Sequence, residues 1–286
     1  MMHNSVILLI SCPDRKGVVH SIADFIFKHN GNILCNDEHG DEASNLFLTR
    51  VEFDAAEFDF DLAEFSQRFS PIAREFQMDW RIARSADRPR VAIFVSKYDH
   101  CLQDLLYRQQ SGELHCDIPL IISNHPDNQQ IADFYRVPYF VIPVSKENKR
   151  DAEQKQIDLV REHQCTLVVL ARYMQVLSHE LIEGIGSENL INIHHSFLPA
   201  FVGSKPYHQA FQRGVKLIGA TSHYVTRVLD DGPIIEQDVV RIYHRDTVDD
   251  LLQKGRDLEK LVLSRAVRWH VENRILLYGN KTVVFQ

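Results

Sequence analysis

The stretch "INIHHSFLPAF", Ile191 to Phe201, decides how the rest of the chain is read. Ile191–Ile193 has the character of a short buried strand, yet it carries Asn192, runs into His194 and His195, and stops at Pro199. A strand interior gains nothing from an amide or an imidazole. The carboxyl end of a strand in an α/β sheet, by contrast, is where such folds gather the groups that meet ligands. Asn192 and His194 are two residues apart, so on a strand both side chains leave the same face. His195 follows on the opposite face and reads as structural.

Upstream of this motif the chain alternates strand and helix. "VAIFVS", "IPLIISN", "YFVIPV" and "CTLVVLA" read as buried strands, with helical apolar spacing in "HCLQDLLYRQQSG", "DNQQIADFYR" and "KRDAEQKQIDLVREHQ" between them. Such alternation implies right-handed crossovers and a mostly parallel sheet. The first eighty or so residues follow another rule. "SVILLISC" is a strand, and Val18, Ile22, Phe25 and Ile26 recur at helical spacing until Asn30-Gly31 offers a left-handed cap. "NILCNDEHG" and "NLFLTRVEF" read as two strands, "FDLAEFSQRFSPIAREF" as a helix and "MDWRIA" as a last strand. The order is βαββαβ, a ferredoxin-like α+β sandwich. The polar, proline-bearing "RSADRPR" is the expected linker, which sets domains at residues 1–83 and 91–286 with 84–90 between them. "ILLYGNKTVVFQ" reads as a hairpin turning at Gly279-Asn280 and falls in the second expected domain.

The 286 residues suit about two domains, and a hydrophobic fraction of 44% suits globular cores. A net charge of -7, with both signs mixed along the chain, argues against a nucleic-acid face. The chain contains no apolar run of the ~20 residues that span a bilayer. "MMHNSVILLISC" lacks the basic region and cleavage site of a leader and reads as a first strand. Five scattered cysteines without a C-x-x-C pair fit reduced thiols in a cytoplasmic protein. Four histidines lie near the motif (His194, His195, His208, His223), but no H-x-x-x-H pair or cysteine partner accompanies them, so no metal is expected.

An amide, an imidazole and a carboxylate together suit attack on a carbonyl carbon. Asn192 offers an N–H donor to a developing oxyanion. His194 exchanges protons near neutral pH. Asp230, in "VLDDGPIIEQ", holds that imidazole or takes the proton of an attacking water. Ser196 either orients a ligand or starts a turn, and His223 in "TSHYV" either lines the site or supports it.

From Arg90 onward the chain resembles the folate-dependent formyltransferase family, whose motifs are Asn-x-His, then Ser-Leu-Leu-Pro or similar, then Asp-x-Gly-Pro-Ile. Asn192, His194 and Asp230 match its catalytic amide, imidazole and carboxylate, Asp230 standing two residues before Gly232 as the motif requires. The resemblance implies a formyl-folate substrate and no further cofactor. Its pterin-pocket loop is matched by "RYMQVLS", so Arg172, Tyr173, Met174, Val176 and Leu177 are implied to bind substrate, along with Ser196, His223 and Gly232.

Departures from the family's pattern select a branch. A purine-pathway transformylase has a glycine-rich, phosphate-gripping turn after its first strand, whereas "VSKYDHCLQDLL" has no glycine and would offer a phosphate Tyr98 and Asp99. The basic C-terminal domain expected of a tRNA formyltransferase has no counterpart here. Water is then the simplest acceptor, and the expected reaction is hydrolysis of 10-formyltetrahydrofolate to formate and tetrahydrofolate, with a link to one-carbon and purine metabolism. The alternatives are formyl transfer to a small amine and an inactive amino-acid sensor. "CPDRKGVVHSIADFIFKHNGNI" is similar to an ACT domain, which implies an amino-acid effector near Asp14, Gly17 and Asn32 and a homo-oligomer through this domain. Asp14 and Gly17 equally serve to shape a turn.

Overall fold

Ser5–Pro13 forms β1, whose side chains from Val6 to Ile10 are buried without alternation. A strand of that kind needs apolar cover on both faces. It pairs antiparallel with β3 (Leu46–Asp54) and β4 (Asp79–Arg84), and β3 pairs with β2 (Asn32–Asp41), giving the order β2-β3-β1-β4. The helices α1 (Val18–Lys28) and α2 (Leu62–Phe76) supply one layer of cover. Val18, Ile22, Phe25 and Ile26 are the buried stripe of α1, as their spacing predicts, and Asn30 takes the left-handed φ of 60° beyond its end. Between sheet and helices lies an aromatic core in which Phe69 meets Phe25 edge-on at 5.3 Å and Trp80 at 5.0 Å.

The other face of the same sheet is covered by a hairpin, β12 (Ile275–Tyr278) and β13 (Lys281–Val284). Ile7, Leu9 and Leu48 form a cluster there with Phe285, Leu276, Tyr278 and Val283. Arg50 donates to the Asn273 carbonyl at 3.0 Å and pairs with Glu52 at 2.9 Å beside it. The computed structural model describes residues 5–200 and 206–286. It divides into one unit of the residues up to Asp87 with Glu272–Gln286, and a second of Arg88–Val271. The expected catalytic domain of 91–286 is therefore corrected: its last fifteen residues, Glu272–Gln286, close the front sheet. The alternating apolar side chains of "ILLYGNKTVVFQ" meet a sheet face that would otherwise be bare.

In the second unit seven strands run in the order β11-β10-β9-β8-β5-β6-β7. They are β5 (Arg90–Val95), β6 (Asp117–Ser123), β7 (Tyr139–Val141), β8 (Leu167–Ala171), β9 (Leu190–His194), β10 (Leu217–Tyr224) and β11 (Ile234–Arg241). The first five are mutually parallel, and β10 and β11 join antiparallel. The connecting helices are α3 (His100–Gln110), α4 (Gln129–Tyr135), α5 (Lys149–Glu162), α6 (His179–Ile185) and α7 (Pro206–Arg213), followed by the long α8 (Val248–Val271). From β5 the chain passes to β6 and β7 on one side and to β8 and β9 on the other. The carboxyl ends of β5 and β8 thus flank a topological switch point, where α/β sheets open a ligand crevice.

Candidate active site

Asn192 and His194 sit in β9 next to β10, where His223 lies opposite Asn192 and Thr221 opposite His194. A register irregularity between Ser222 and His223 marks the end of β10, and the chain then folds back. Gly232 permits that fold: a Cβ there would stand 1.7 Å from the Tyr224 carbonyl oxygen, a distance no side chain tolerates. The fold-back seats Asp230, itself at a left-handed φ of 55°, over the two strand ends. Asp230 Oδ2 is 3.3 Å from His194 Nδ1, and its Oδ1 is 3.8 Å from His223 Nε2.

Protonation follows from these partners. His223 Nδ1 lies 2.9 Å from the Tyr224 carbonyl, which only accepts, so Nδ1 carries the proton. Burial pulls the His223 pKa down, against the carbonyl bond and the Asp230 charge, which favours the neutral ring. Its bare Nε2 then accepts from Asn192 Nδ2 at 3.2 Å. This fixes the amide's orientation and leaves one N–H of Asn192 free of that bond. Burial raises the Asp230 pKa, but the His194 hydrogen bond and the neighbouring imidazoles outweigh it, and the carboxyl is held below its usual range. An ionised Asp230 accepts from His194 Nδ1–H, which leaves Nε2 as the working nitrogen. That Nε2 is buried and has no hydrogen-bond partner among the described residues.

These groups form part of the wall of a cavity of about 630 Å³. Arg172, Tyr173, Met174, Val176, Leu177 and His223 line it as the sequence reading implies. Met174 and Val176 are more than half exposed, and Leu229 across the opening is 62% exposed, giving an apolar mouth suited to a flat ring system. Two implied substrate contacts are corrected. Ser196 is not among the lining residues; its hydroxyl donates to the Ala200 carbonyl at 2.8 Å and shapes the turn after β9. Gly232 is likewise absent from the lining, and its role is the close approach to Tyr224. The Pro and Gly punctuation of "FLPAFVGSKPYH" reads as a folded-back loop after β9, and its residues 201–205 lie outside the described residues.

Other residues join the wall unannounced. His195, read as structural, lines the cavity, because the strand ends at His194 and face alternation no longer governs it. Burial, reinforced by the Arg172 charge, lowers its pKa to about 3. Tyr98, in the turn after β5, and His100, the first residue of α3, line the cavity, whereas Asp99 accepts from Gln103 at 2.5 Å and is not in the lining. Glu259, on α8, is 1% exposed and reaches the cavity floor; α8 is absent from the sequence reading altogether. Among the described residues, His100, Cys101 and Glu259 bring possible metal-ligand atoms within 4.8 Å of one another. Glu259 is already engaged, however: Tyr207 Oη donates to Oε1 at 2.7 Å, His100 Nε2 bonds Oε2 at 2.8 Å, and the Arg172 guanidinium lies 3.5 Å away. A metal cation there would have to displace these partners.

Asp14, Gly17 and Asn32 are not gathered around a cavity among the described residues. Gly17 caps α1 at a φ of 99°, the Asp14 amide bonds the Asn45 carbonyl, and Asn32 opens β2. A shallow hollow in the front unit is lined instead by Val19, Ile22, Ile33, Thr49 and their neighbours.

Comparison with known proteins gives the family. A family model described as formyl transferase matches residues 89–267. A formyltetrahydrofolate deformylase of a Synechocystis species is 53% identical, with all of both chains covered. The crystal structure of a formyltetrahydrofolate deformylase from Pseudomonas syringae pv. tomato superposes with a TM-score of 0.96 at 51% identity, over 99% of this chain and 94% of that one. A glycinamide ribonucleotide transformylase from Symbiobacterium toebii matches 70% of this chain and 95% of its own, at 26% identity and a TM-score of 0.65.

Proposed function

We propose that this chain, which belongs to the formyl transferase family and within it to the formyltetrahydrofolate deformylases, hydrolyses 10-formyltetrahydrofolate to formate and tetrahydrofolate. The observation that carries the reading is the linked set Asn192–His223 and His194–Asp230 on one wall of the cavity. The free N–H of Asn192 stabilises the oxyanion as water adds to the formyl carbon. Asp230 takes up the water proton or holds the water, and keeps the His194 ring in its working tautomer. The proton lost by the adding water, taken directly or by way of Asp230, passes to His194 Nε2, which delivers it to N10 as the C–N bond breaks. Folate is the substrate, and no separate cofactor enters this scheme. Free tetrahydrofolate and formate would both return to one-carbon metabolism, including purine synthesis, in the cytoplasm.

The likeness to a transformylase keeps amine transfer as the second reading. Incubation with 10-formyltetrahydrofolate alone, then with glycinamide ribonucleotide, separates the two. Formate released without an acceptor, with no heat on titrating the nucleotide, supports hydrolysis. Tetrahydrofolate formed only with the amine present, with the formyl group on the nucleotide and no formate released, overturns it. For the front unit the proposal includes a homo-oligomer and an amino-acid effector. Support for assembly comes from β2, an edge strand exposed along most of its length with Ile33 and Leu34 uncovered. Leu34→Lys should lower the mass seen by light scattering, and an unchanged mass would move the interface elsewhere. A screen of the twenty amino acids in the formate assay tests the effector.

A further inference from the structure

Arg172 leaves β8 two residues beyond Leu170, which is paired with Asn192 in β9. It follows directly on Ala171, the last residue of β8. Its backbone adopts a left-handed φ of 62°, and its side chain, 9% exposed, lines the same cavity as the catalytic groups. The guanidinium carbon stands 5.1 Å from the centre of the Tyr98 ring, and Arg256 approaches that ring at 5.9 Å.

The guanidinium is only half matched. Glu259 is near enough to compensate its charge, with Nε 3.5 Å from Oε2, but that is too long for a good hydrogen bond. Both Glu259 oxygens already accept, one from Tyr207 and the other from His100. Arg172 Nε and Nη1 are buried without a partner among the described residues. A buried donor left unpaired forfeits the bonds it would make to water. The arrangement has been built around this defect. Tyr207 packs so closely on Gly255, one helical turn before Glu259, that a Cβ there would fall 2.2 Å from its ring. The carboxylate is thus locked into its other bonds.

A guanidinium fork with vacant N–H groups takes a planar carboxylate through charge-assisted hydrogen bonds. The reaction in this cavity turns a neutral formamide into one small planar carboxylate. The geometry points to Arg172 as the receptor of a subsite for that product anion, formate, beside the catalytic strand end. The choice of formate rests on the hydrolytic reading; the anion subsite rests on the unpaired guanidinium.

The test is titration of sodium formate into the full-length protein without folate, followed by calorimetry and by line broadening of ¹³C-formate. Saturable binding is expected, with chloride and inorganic phosphate unable to displace it at equal concentration. Arg172→Lys, which keeps the charge and loses the fork, should weaken it several-fold. The double variant Arg172→Gln/Glu259→Gln leaves no buried charge unpaired, so its fold should survive, as circular dichroism will check, and its affinity should fall at least tenfold. Unchanged affinity in the folded double variant, or equal displacement by chloride, would overturn the subsite. Formate binding with no turnover of formyl-folate would strike the hydrolytic reading and leave the subsite standing.

Discussion

Phe65 in the front unit and His194 in the second are both sealed from solvent, at 0% and 5% exposure, for opposite reasons. Phe65 is enclosed by other rings, with Phe25 and Phe69 each 5.4 Å away, and any apolar group of its size would do similar work. His194 is enclosed by an amide-bearing strand, a carboxylate and other imidazoles, and one of its nitrogens is left bare. The first kind of burial stabilises and is indifferent to detail. The second kind costs stability and holds reactive atoms in place.

The comparison breaks if the two sites do not separate activity from stability. His194→Ala should lower turnover by on the order of 10²–10⁴ with little change in unfolding midpoint. Asn192→Ala should lose about 10²–10³ in the same way. Near-normal turnover in either folded variant would remove the site assignment. Phe65→Ala should do the reverse and cost about 4–5 kcal/mol in denaturant unfolding, since its pocket is closed on all sides. Unaltered stability there would mean the aromatic core is redundant.

A third variant sharpens the contrast within the front unit. Phe285 is buried at the edge of the smaller cluster, so Phe285→Ala should cost about 3 kcal/mol, near the low end for such a deletion. A loss as large as that of Phe65→Ala would make the two faces of the sheet equal partners.

The smallest expected effect concerns pH. His195 is neutral in the folded state down to about pH 3, whereas an unfolded chain protonates it near its ordinary value of 6.5. The folded pKa is depressed, so this contribution is complete above pH 6.5 and is lost as pH falls toward 3. The slope is at most about 1.4 kcal/mol per pH unit. Between pH 6.5 and 5, wild type should therefore lose more stability than His195→Gln. Parallel losses in urea unfolding would show that other groups set the acid limb.

Much of this was legible in residue order because the relevant signals are local. The βαββαβ order, the strand–helix alternation and the shared face of Asn192 and His194 each depend on spacing within a few residues. What stayed hidden depends on distance along the chain. Glu259 lies on the apolar stripe of α8 with Gly255, Leu258 and Val262, and a carboxylate there was a readable sign of a buried partner, but the partner's identity was not. Ser196 and Gly232 carry the family's motif yet serve turn geometry, which a motif does not distinguish from ligand contact. The continuous run "VILLI" in β1 already demanded cover on two faces. Only the folded chain shows that Ile275–Phe285 provides the second.

That hairpin reverses the usual order of manufacture. A ribosome delivers β1 to β4 early, and a front domain would ordinarily finish folding while the rest of the chain is still being made. Here Ile7, Leu9 and Leu48 wait, uncovered, until residue 285 has left the exit tunnel. Until then the nascent sheet presents a sticky, half-dressed surface, which is a natural stopping place for a holdase chaperone. Its release would coincide with the emergence of the strap, so the sheet made before the second unit is completed only after it.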